Sequence, residues 1–435
     1  MLHIGIDDTD SLKGGCTTWL ATEIISELSE FDLIGSPRLV RLNPNVPWKT
    51  RGNGAVAFTF GVGLGSKQKI GEFQDSEIFA FDKGLDKSYD KERVLERISD
   101  LVSQLSHPDS EPGIVISDLF LPEDLYWQGV TGIVSSDILS DAIEGALTFG
   151  LRGSRGICGA ACSLAWPGIS NNGSGIPYTW ELIGYREQKN WGKKRAISST
   201  SVQEVSNLDG VFSCNDLDGK VAMVPNSPCP VLWGFRGIDH SILIDNFHLL
   251  GPEKPIRWLL YKTNQATDDH LCTKKITEII DGDCVRMEVS VSSKPTNIEG
   301  GHRFFMAKDV YQKEIKCAVF EPAKNFRNVI DKLVIGDSLI ICGSVKNETV
   351  NLEKVKVLNL SPRFSKPRNP LCVCGKRTHS AGKDSYYRCK VCGEKYSRPD
   401  LVEIKPNLEL KWYEPPASSR RHLAAPATLM PENHD

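Results

Sequence analysis

Four of the thirteen cysteines limit what this chain can fold into more than any other feature. Cys372 and Cys374 are one residue apart, Cys389 and Cys392 are two apart, and fourteen residues separate the pairs. A glycine follows each pair, Gly375 and Gly393, so backbone amides can turn toward a sulfur with no Cβ in the way. Four thiolates at this spacing suit tetrahedral Zn²⁺. Four of them also close its coordination shell, which makes the metal structural rather than catalytic. The expected module is a zinc ribbon over residues 366–400, with His379 a solvated loop residue beside it. Its first half has one intervening residue where two are usual. The other nine cysteines are scattered singly and the total is odd. That pattern argues against an extracellular disulfide framework and for a reducing cytoplasm.

The same region carries an unusual charge. Overall the 435 residues hold 52 Lys/Arg and 55 Asp/Glu, a net of -3, which alone speaks against nucleic acid. Between Ser361 and Asp400 there are ten basic and three acidic residues, which leaves 42 and 52 for the rest of the chain. Phe364, Tyr386, Tyr387 and Tyr396 are interleaved with this basic set, which includes Lys366 and Lys383. A basic, aromatic module on an acidic body suits phosphates and stacked bases. The 40% hydrophobic content is that of a soluble globular protein. No apolar run is long enough to span a bilayer, and the N-terminus lacks the form of a secretory signal.

The length calls for two to four domains. His3–Ile6 reads as a buried strand, Thr17–Leu28 as an amphipathic helix, and Asp90–Ser106 as another with Val94, Ile98 and Val102 on one face. With strands at Leu39–Leu42, Ala55–Phe60 and Gly113–Ile116, residues 1–130 read as a first α/β domain. Residues 131–265 read as a second, α+β one. It has helices over Ser135–Phe149 and Cys158–Trp166 and strands near Tyr178–Tyr185, Val221–Val224 and Val231–Phe235. From 270 to 362 five short strands and one helical stretch, Lys324–Leu333, fit a small β-barrel of the OB type. Residues 401–435 form a linker-like tail.

Asp7, Asp8 and Asp10 crowd three carboxylates into four residues at the end of the first strand. Such a cluster repels itself unless a cation neutralises it. Mg²⁺ carrying a nucleotide's phosphates is the natural candidate, and a surface acidic loop is the plain alternative. Gly14 and Gly15 lead into the helix starting near Thr17, whose free amides and positive end favour an anion. Thr17 and Thr18 can also serve as capping hydroxyls. No GxxxxGK[ST] pattern is present, so this is not the common P-loop. Arg152, Arg155 and Arg236 stand beside glycines that let a guanidinium grip phosphate or carboxylate. Asn215, Asp216 and Cys229 sit in polar turns. By themselves these segments read equally as structural turns.

Taken in order, the motifs resemble one family, the tRNA(Ile) 2-agmatinylcytidine synthetases. Gly5-Ile-Asp-Asp-Thr-Asp-Ser11 with Gly14-Gly-Cys-Thr-Thr18 is similar to its N-terminal motif. Tyr178-Thr-Trp-Glu-Leu-Ile-Gly-Tyr-Arg186, Pro228-Cys-Pro-Val-Leu-Trp-Gly-Phe-Arg-Gly237 and Thr263-Asn-Gln-Ala-Thr-Asp-Asp-His270 are similar to later ones. So are the ribbon and Tyr413-Glu-Pro-Pro…Arg420-Arg-His-Leu423. The resemblance spans nearly the whole chain. It implies an archaeal, cytoplasmic ligase that uses ATP to replace the C2 oxygen of the wobble cytidine with agmatine. It implies a kinase-like α/β domain, a ferredoxin-like domain on the agmatine side, an OB fold and a zinc ribbon.

The resemblance further implies that Asp7, Asp8 and Asp10 serve ATP and metal, that Thr18 is self-phosphorylated, and that Gly14, Gly15 and Thr17 hold phosphate. Substrate contacts are expected from Arg152, Arg155, Tyr185, Arg186, Asn215, Asp216, Cys229 and Arg236, with Asp216 a carboxylate partner for a guanidinium. The expected partners are ATP, Mg²⁺, structural Zn²⁺, agmatine and an isoleucine tRNA anticodon, with no membrane. Residues alone leave two other readings open: a non-enzymatic nucleic-acid-binding protein, and a protein-directed kinase. The acidic cluster counts against the first.

Overall fold

The structure, a computed structural model, describes residues 1–430 apart from 51, 75, 171–174, 217, 365–367 and 383–384. Lys366 and Lys383 of the basic set lie outside the described residues. The chain begins β1 (Leu2–Asp7), α1 (Thr17–Glu27), β2 (Asp32–Ile34), β3 (Arg38–Arg41), β4 (Gly54–Phe73) and β5 (Ser76–Leu85). Then come α2 (Lys91–Leu105), β6 (Gly113–Ser117), α3 (Glu123–Thr131), α4 (Ser136–Ala142), β7 (Leu147–Gly150) and α5 (Arg155–Ala165). Helix α2 matches its expected span because its ends are chemically marked. The Asp90 side chain accepts from Arg93 N at 2.9 Å, and Val94, Ile98 and Val102 form the buried stripe.

One sequence expectation fails here and another is extended. Ser135–Phe149 is not one helix: α4 stops at Ala142, Gly145 takes a left-handed φ of 78°, and β7 then pairs with β6. The apolar run fits a strand as well as a helix, and β6 offered an open edge. The expected strand Ala55–Phe60 is present within β4, whose hairpin with β5 runs well beyond its apolar part.

The middle of the chain is built as β8 (Thr179–Tyr185), α6 (Ser199–Ser206), β9 (Val211–Phe212), β10 (Val231–Gly237), α7 (His240–Asn246) and β11 (Arg257–Thr263). Its strands lie in the order β11-β8-β10-β9, all antiparallel. Val221–Val224 is not a strand; only Val221 makes a single bridge, to Asn215. The two α/β regions share one eleven-stranded sheet, because β11 pairs with both β3 and β4. Nor does any gap fall near residue 130, since β7 pairs β6 and α5 lies across β1 and β6. Glycine permits that close approach. A Cβ on Gly5 would stand 2.3 Å from Ala160 O, and one on Gly113 would stand 1.9 Å from Ile157 N.

The third region contains β12 (Cys272–Thr273), β13 (Cys284–Val291), β14 (Thr296–Asn297), β15 (Arg303–Lys308), β16 (Glu314–Val319), α8 (Phe326–Ile330), β17 (Ser338–Lys346) and β18 (Thr349–Asn359). Five of these strands close a barrel in the order β13-β17-β18-β16-β15, sealed by Val291 against Ala307. Its interior is apolar, with Val285, Phe305, Leu339, Ile341 and Val355. The ribbon is a small three-stranded sheet of His379–Ser380, Tyr387–Arg388 and Lys395–Tyr396.

The tail is not a linker. Trp412–Tyr413 adds to β18, and residues 414–425 run back across the molecule. Leu423 and Ala425 are buried, and Ala266 N donates to His422 O at 2.8 Å. Its Pro- and Ser-rich composition reads as flexible, yet Arg420, Arg421 and His422 each find a partner. Among the described residues no helix is long and apolar enough to cross a membrane.

Candidate active site and metal centre

Asp7 ends β1, and Asp8 turns the chain with a left-handed φ of 52°. A non-glycine residue held there is strained, a feature concentrated at functional sites. Space for the Asp7 carboxylate is made by Gly159 of α5, where a Cβ would fall 1.7 Å from Oδ2. Burial pushes the Asp7 carboxyl well above the usual range, and Asp8 and Asp10 push it further. Asp8 is raised as well, by burial first, although Arg155 opposes the shift. Asp10 accepts from Thr50 Oγ1 at 2.8 Å. Among the described residues no cation acts on the Asp7 carboxyl, and its charged neighbours are Asp8 and Asp10.

Helix α1 begins beside this loop. Its N-cap, Cys16, makes no side-chain capping bond, so the helix start keeps amides available to an anion. Neither threonine caps the helix: Thr17 Oγ1 accepts from Thr9 Oγ1 at 3.0 Å, and Thr18 Oγ1 lies 3.1 Å from Cys16 Sγ. Asp7, Asp8, Asp10, Thr17 and Thr18 line one cavity of about 590 Å³. Its far wall comes from β8 and β10, and its rim from tail residues 417–424.

Of the expected substrate residues, Arg155, Cys229 and Arg236 line this cavity. Arg155 is ion-paired with Glu111. Cys229 accepts at its carbonyl from Arg195 Nη2 at 2.9 Å. Arg236 donates through Nε to Glu181 at 2.8 Å.

The other expected residues lie elsewhere, each for a stated reason. Arg152 donates to Ser110 O, Ser106 Oγ and His107 O. It thereby braces the loop whose His107 N bonds Thr9 O. Tyr185 is fully buried under α1 and donates to Thr18 O at 2.9 Å. Arg186 is buried in an ion pair with Glu253. Asn215 donates to Gln203, and both Asp216 oxygens accept from Ser418 of the tail. Gly14 and Gly15 lie behind the acidic loop. Gly15 has a φ of 76°, and a Cβ there would stand 3.1 Å from Asp10 Cα, so it serves the tight turn.

The cavity also contains groups the sequence did not single out. Glu181 is buried, accepts from Arg236 and from Gln265, and lies 3.6 Å from Arg41 Nη2. Burial pushes its carboxyl up, but Arg236 and Arg41 outweigh that and hold it below its usual range. His422 Nδ1 lies 3.0 Å from Gln265 Oε1 and is held far below the usual imidazole range, chiefly by Arg41. The only sequence signal for Glu181 was its place inside the Tyr178–Arg186 motif.

The four ribbon cysteines converge despite the short first half. Their sulfurs lie within 4.8 Å of one another, with Cys372 and Cys392 at 3.2 Å and Cys374 and Cys389 at 3.5 Å. Gly375 and Gly393 take φ of 81° and 78°, and their amides close the two knuckles onto Cys372 O and Cys389 O. This is a donor set for tetrahedral Zn²⁺. His379 is exposed and outside it. Among the described residues no other group of three or more such ligands converges.

Three family models match the chain: the TiaS TCKD domain over residues 3–151, the TiaS FLD domain over 154–270 and the TiaS C-terminal zinc ribbon domain over 369–408. The TiaS of Methanocaldococcus jannaschii, a 2-agmatinylcytidine synthetase acting on an isoleucine tRNA, is 35% identical, over 99% of both chains. That of Pyrococcus horikoshii is 36% identical, over 100% of this chain and 98% of its own. Among solved structures, the complex of TiaS with its isoleucine tRNA and ATP superposes with a TM-score of 0.83 at 31% identity, covering 99% of this chain and 98% of that one. The complex of TiaS with the same tRNA, AMPCPP and agmatine gives 0.80 at 28% identity, covering 99% and 97%. Full-length similarity of this kind, on the same modules in the same order, places the chain in the tRNA(Ile) 2-agmatinylcytidine synthetase (TiaS) family.

Proposed function

We propose that this chain is an ATP-dependent ligase that replaces the C2 oxygen of the wobble cytidine of an isoleucine tRNA with agmatine. The full-length relationship to solved TiaS complexes with tRNA, ATP and agmatine carries this reading. The chemistry of the cavity agrees with it. A cytosine C2 oxygen leaves poorly. Phosphorylating it makes the leaving group a phosphate, and the amine nitrogen then forms the new C–N bond as the C–O bond breaks. One ATP yields AMP and two phosphates.

In this reading Thr17 and Thr18, at the open start of α1, face the transferred phosphates, and Thr18 is self-phosphorylated. Asp7 and Asp8 would hold Mg²⁺, which neutralises phosphate charge when bound. Three observations support that donor set: oxygen ligands only, a carboxylate cradle opened by Gly159, and raised carboxyls that call for a cation. The three carboxylates do not form a closed cage, and Mg²⁺ does not need one. It keeps waters and takes one or two carboxylates beside phosphate oxygens.

The strand order β11-β8-β10-β9 within a βαββαβ chain supports a ferredoxin-like domain, and the family match supports a kinase-like one before it. We place their boundary near residue 152 rather than 130, following β7 and the matched spans. The barrel, with one parallel pair of strands, β16 and β18, is read as an OB fold that holds tRNA together with the ribbon. The ribbon cysteines hold structural Zn²⁺, and the cytoplasm is the proposed location.

The test is nucleoside mass spectrometry of tRNA incubated with the protein, Mg²⁺-ATP and agmatine. The wobble cytidine should gain the mass of agmatine less one water, only when all components are present. An unchanged cytidine sinks the reading.

A further inference from the structure

We propose that Arg41 and Arg236 form a phosphate subsite on the cavity wall, and that its occupant is a phosphodiester of the bound tRNA. This rests on the RNA-modifying reading above and names a group that site must hold. Two guanidiniums here share a single carboxylate. Glu181 satisfies Arg236 Nε at 2.8 Å, lies 3.6 Å from Arg41 Nη2 and is also taken by Gln265. Positive charge is left over. Both Nη groups of Arg236 lack a hydrogen-bond partner among the described residues, and Arg41 Nε is buried without one.

The backbone opposite is cut away. A Cβ on Gly52 or Gly54 would come within 2.7 or 2.9 Å of Arg41 Nη1. Glycine at both positions therefore leaves that guanidinium uncrowded. All of these residues line the cavity. The same arginines, with burial, hold the His422 imidazole beside them far below its usual range, so it adds no further positive charge.

A guanidinium fork with open N–H groups recognises phosphate and carboxylate. Agmatine carries cationic groups and is repelled by such a wall. The phosphates of ATP have their own place at the start of α1, beside the acidic loop. The remaining anion is the one a tRNA brings with it. A wobble base turned out of the anticodon stack arrives with a phosphodiester on each side.

The test uses full-length tRNA carrying one neutral methylphosphonate, placed 5′ or 3′ of the wobble cytidine. Dissociation constants are measured with the full-length wild type and with Arg236→Met and Arg41→Met. One of the two methylphosphonates should weaken wild-type binding about tenfold. Each variant should weaken binding of the unmodified tRNA similarly, leave ATP affinity within about twofold, and show almost no further loss with that methylphosphonate.

Additive losses overturn the proposal, as does a loss of ATP affinity in place of tRNA affinity. If a variant fails to fold, the wild-type arm still decides, because two methylphosphonates without effect overturn it alone. Nucleoside mass spectrometry on unmodified tRNA separates this outcome from the activity. Lack of agmatine transfer there removes the ligase reading and leaves the phosphate contact to be judged by binding.

Discussion

At the seam between the large sheet and the barrel, Asp268 is paired with Lys354 of β18, and both are almost fully buried. Asp269 beside it accepts from Tyr126 and Ser170, and His270 meets Glu353 at 3.0 Å. On the cavity wall, buried or half-buried charge is arranged differently. Asp7 has carboxylates for neighbours and no paired cation among the described residues, while Arg41 and Arg236 compete for one Glu181. Ionised groups taken from water need a partner. The seam supplies its partners from within the chain and so joins modules. The cavity leaves them to be supplied from outside, which is how a binding site differs from a strut made of the same residue types.

The largest expected effect tests the open cluster. Asp7→Asn should slow tRNA modification by on the order of 10⁴-fold, the scale of losing a charge-stabilising group in phosphoryl transfer. Affinity for tRNA, measured by filter binding, should hold. The unfolding midpoint should stay level or rise, because the lost group was an uncompensated charge. A marked fall in the midpoint would make Asp7 structural and collapse the contrast with the seam.

At the seam the sign reverses. Lys354→Met leaves Asp268 buried and unpaired, and should destabilise the fold by about 3–5 kcal/mol in chemical unfolding. Replacing both partners by apolar residues should recover much of this.

Glu353→Gln tests the same network through pH. Burial pushes the Glu353 carboxyl up, but His270, Arg421 and Lys354 outweigh it and bring it down to about 2. Its stabilisation is therefore fully present above the unfolded value near 4.5 and is lost as pH falls toward 2. The gap between wild type and variant should be on the order of 3 kcal/mol at pH 7 and close in that acid window. A gap that does not depend on pH would mean that packing, not charge, holds the seam.

How much of this was legible follows from sequence distance. Helix α2, with Asp90 at its start and Ser106 just past its end, and the ribbon, with its cysteines and following glycines, are local signals and read correctly. The three carboxylates of the acidic loop could be grouped from sequence because they are neighbours in it, and they line one cavity together. The opposite wall does not, because Glu181 meets Arg236 across 55 residues and His422 meets Gln265 across 157. Strand β7 was misread because its apolar residues fit either period and only the edge of β6 decides between them. Tyr185 carried a recognisable motif but not its purpose. The motif marks a position that matters without saying which side of the sheet it serves.

That purpose gives the smallest and most discriminating prediction. Tyr185 of β8 and Tyr261 of β11 both donate to Thr18 O, at 2.9 and 2.8 Å, and their hydroxyls lie 3.1 Å apart. Burial raises both phenols well above their usual range, so they stay neutral donors at working pH. Two strands of the second region thus hold the first turn of α1, where the proposed phosphoacceptor sits. Tyr185→Phe removes one such bond, worth about 1 kcal/mol, and should slow phosphorylation of Thr18 about fivefold with tRNA affinity unchanged. Mass spectrometry of the protein after timed incubation with ATP measures it. If the pair acts as one support, Tyr261→Phe should do the same, and the double variant should lose less than the product of the two. If neither phenol matters, α1 holds Thr18 alone, and the closed, structural kind of polar cluster does not extend to the edge of the open one.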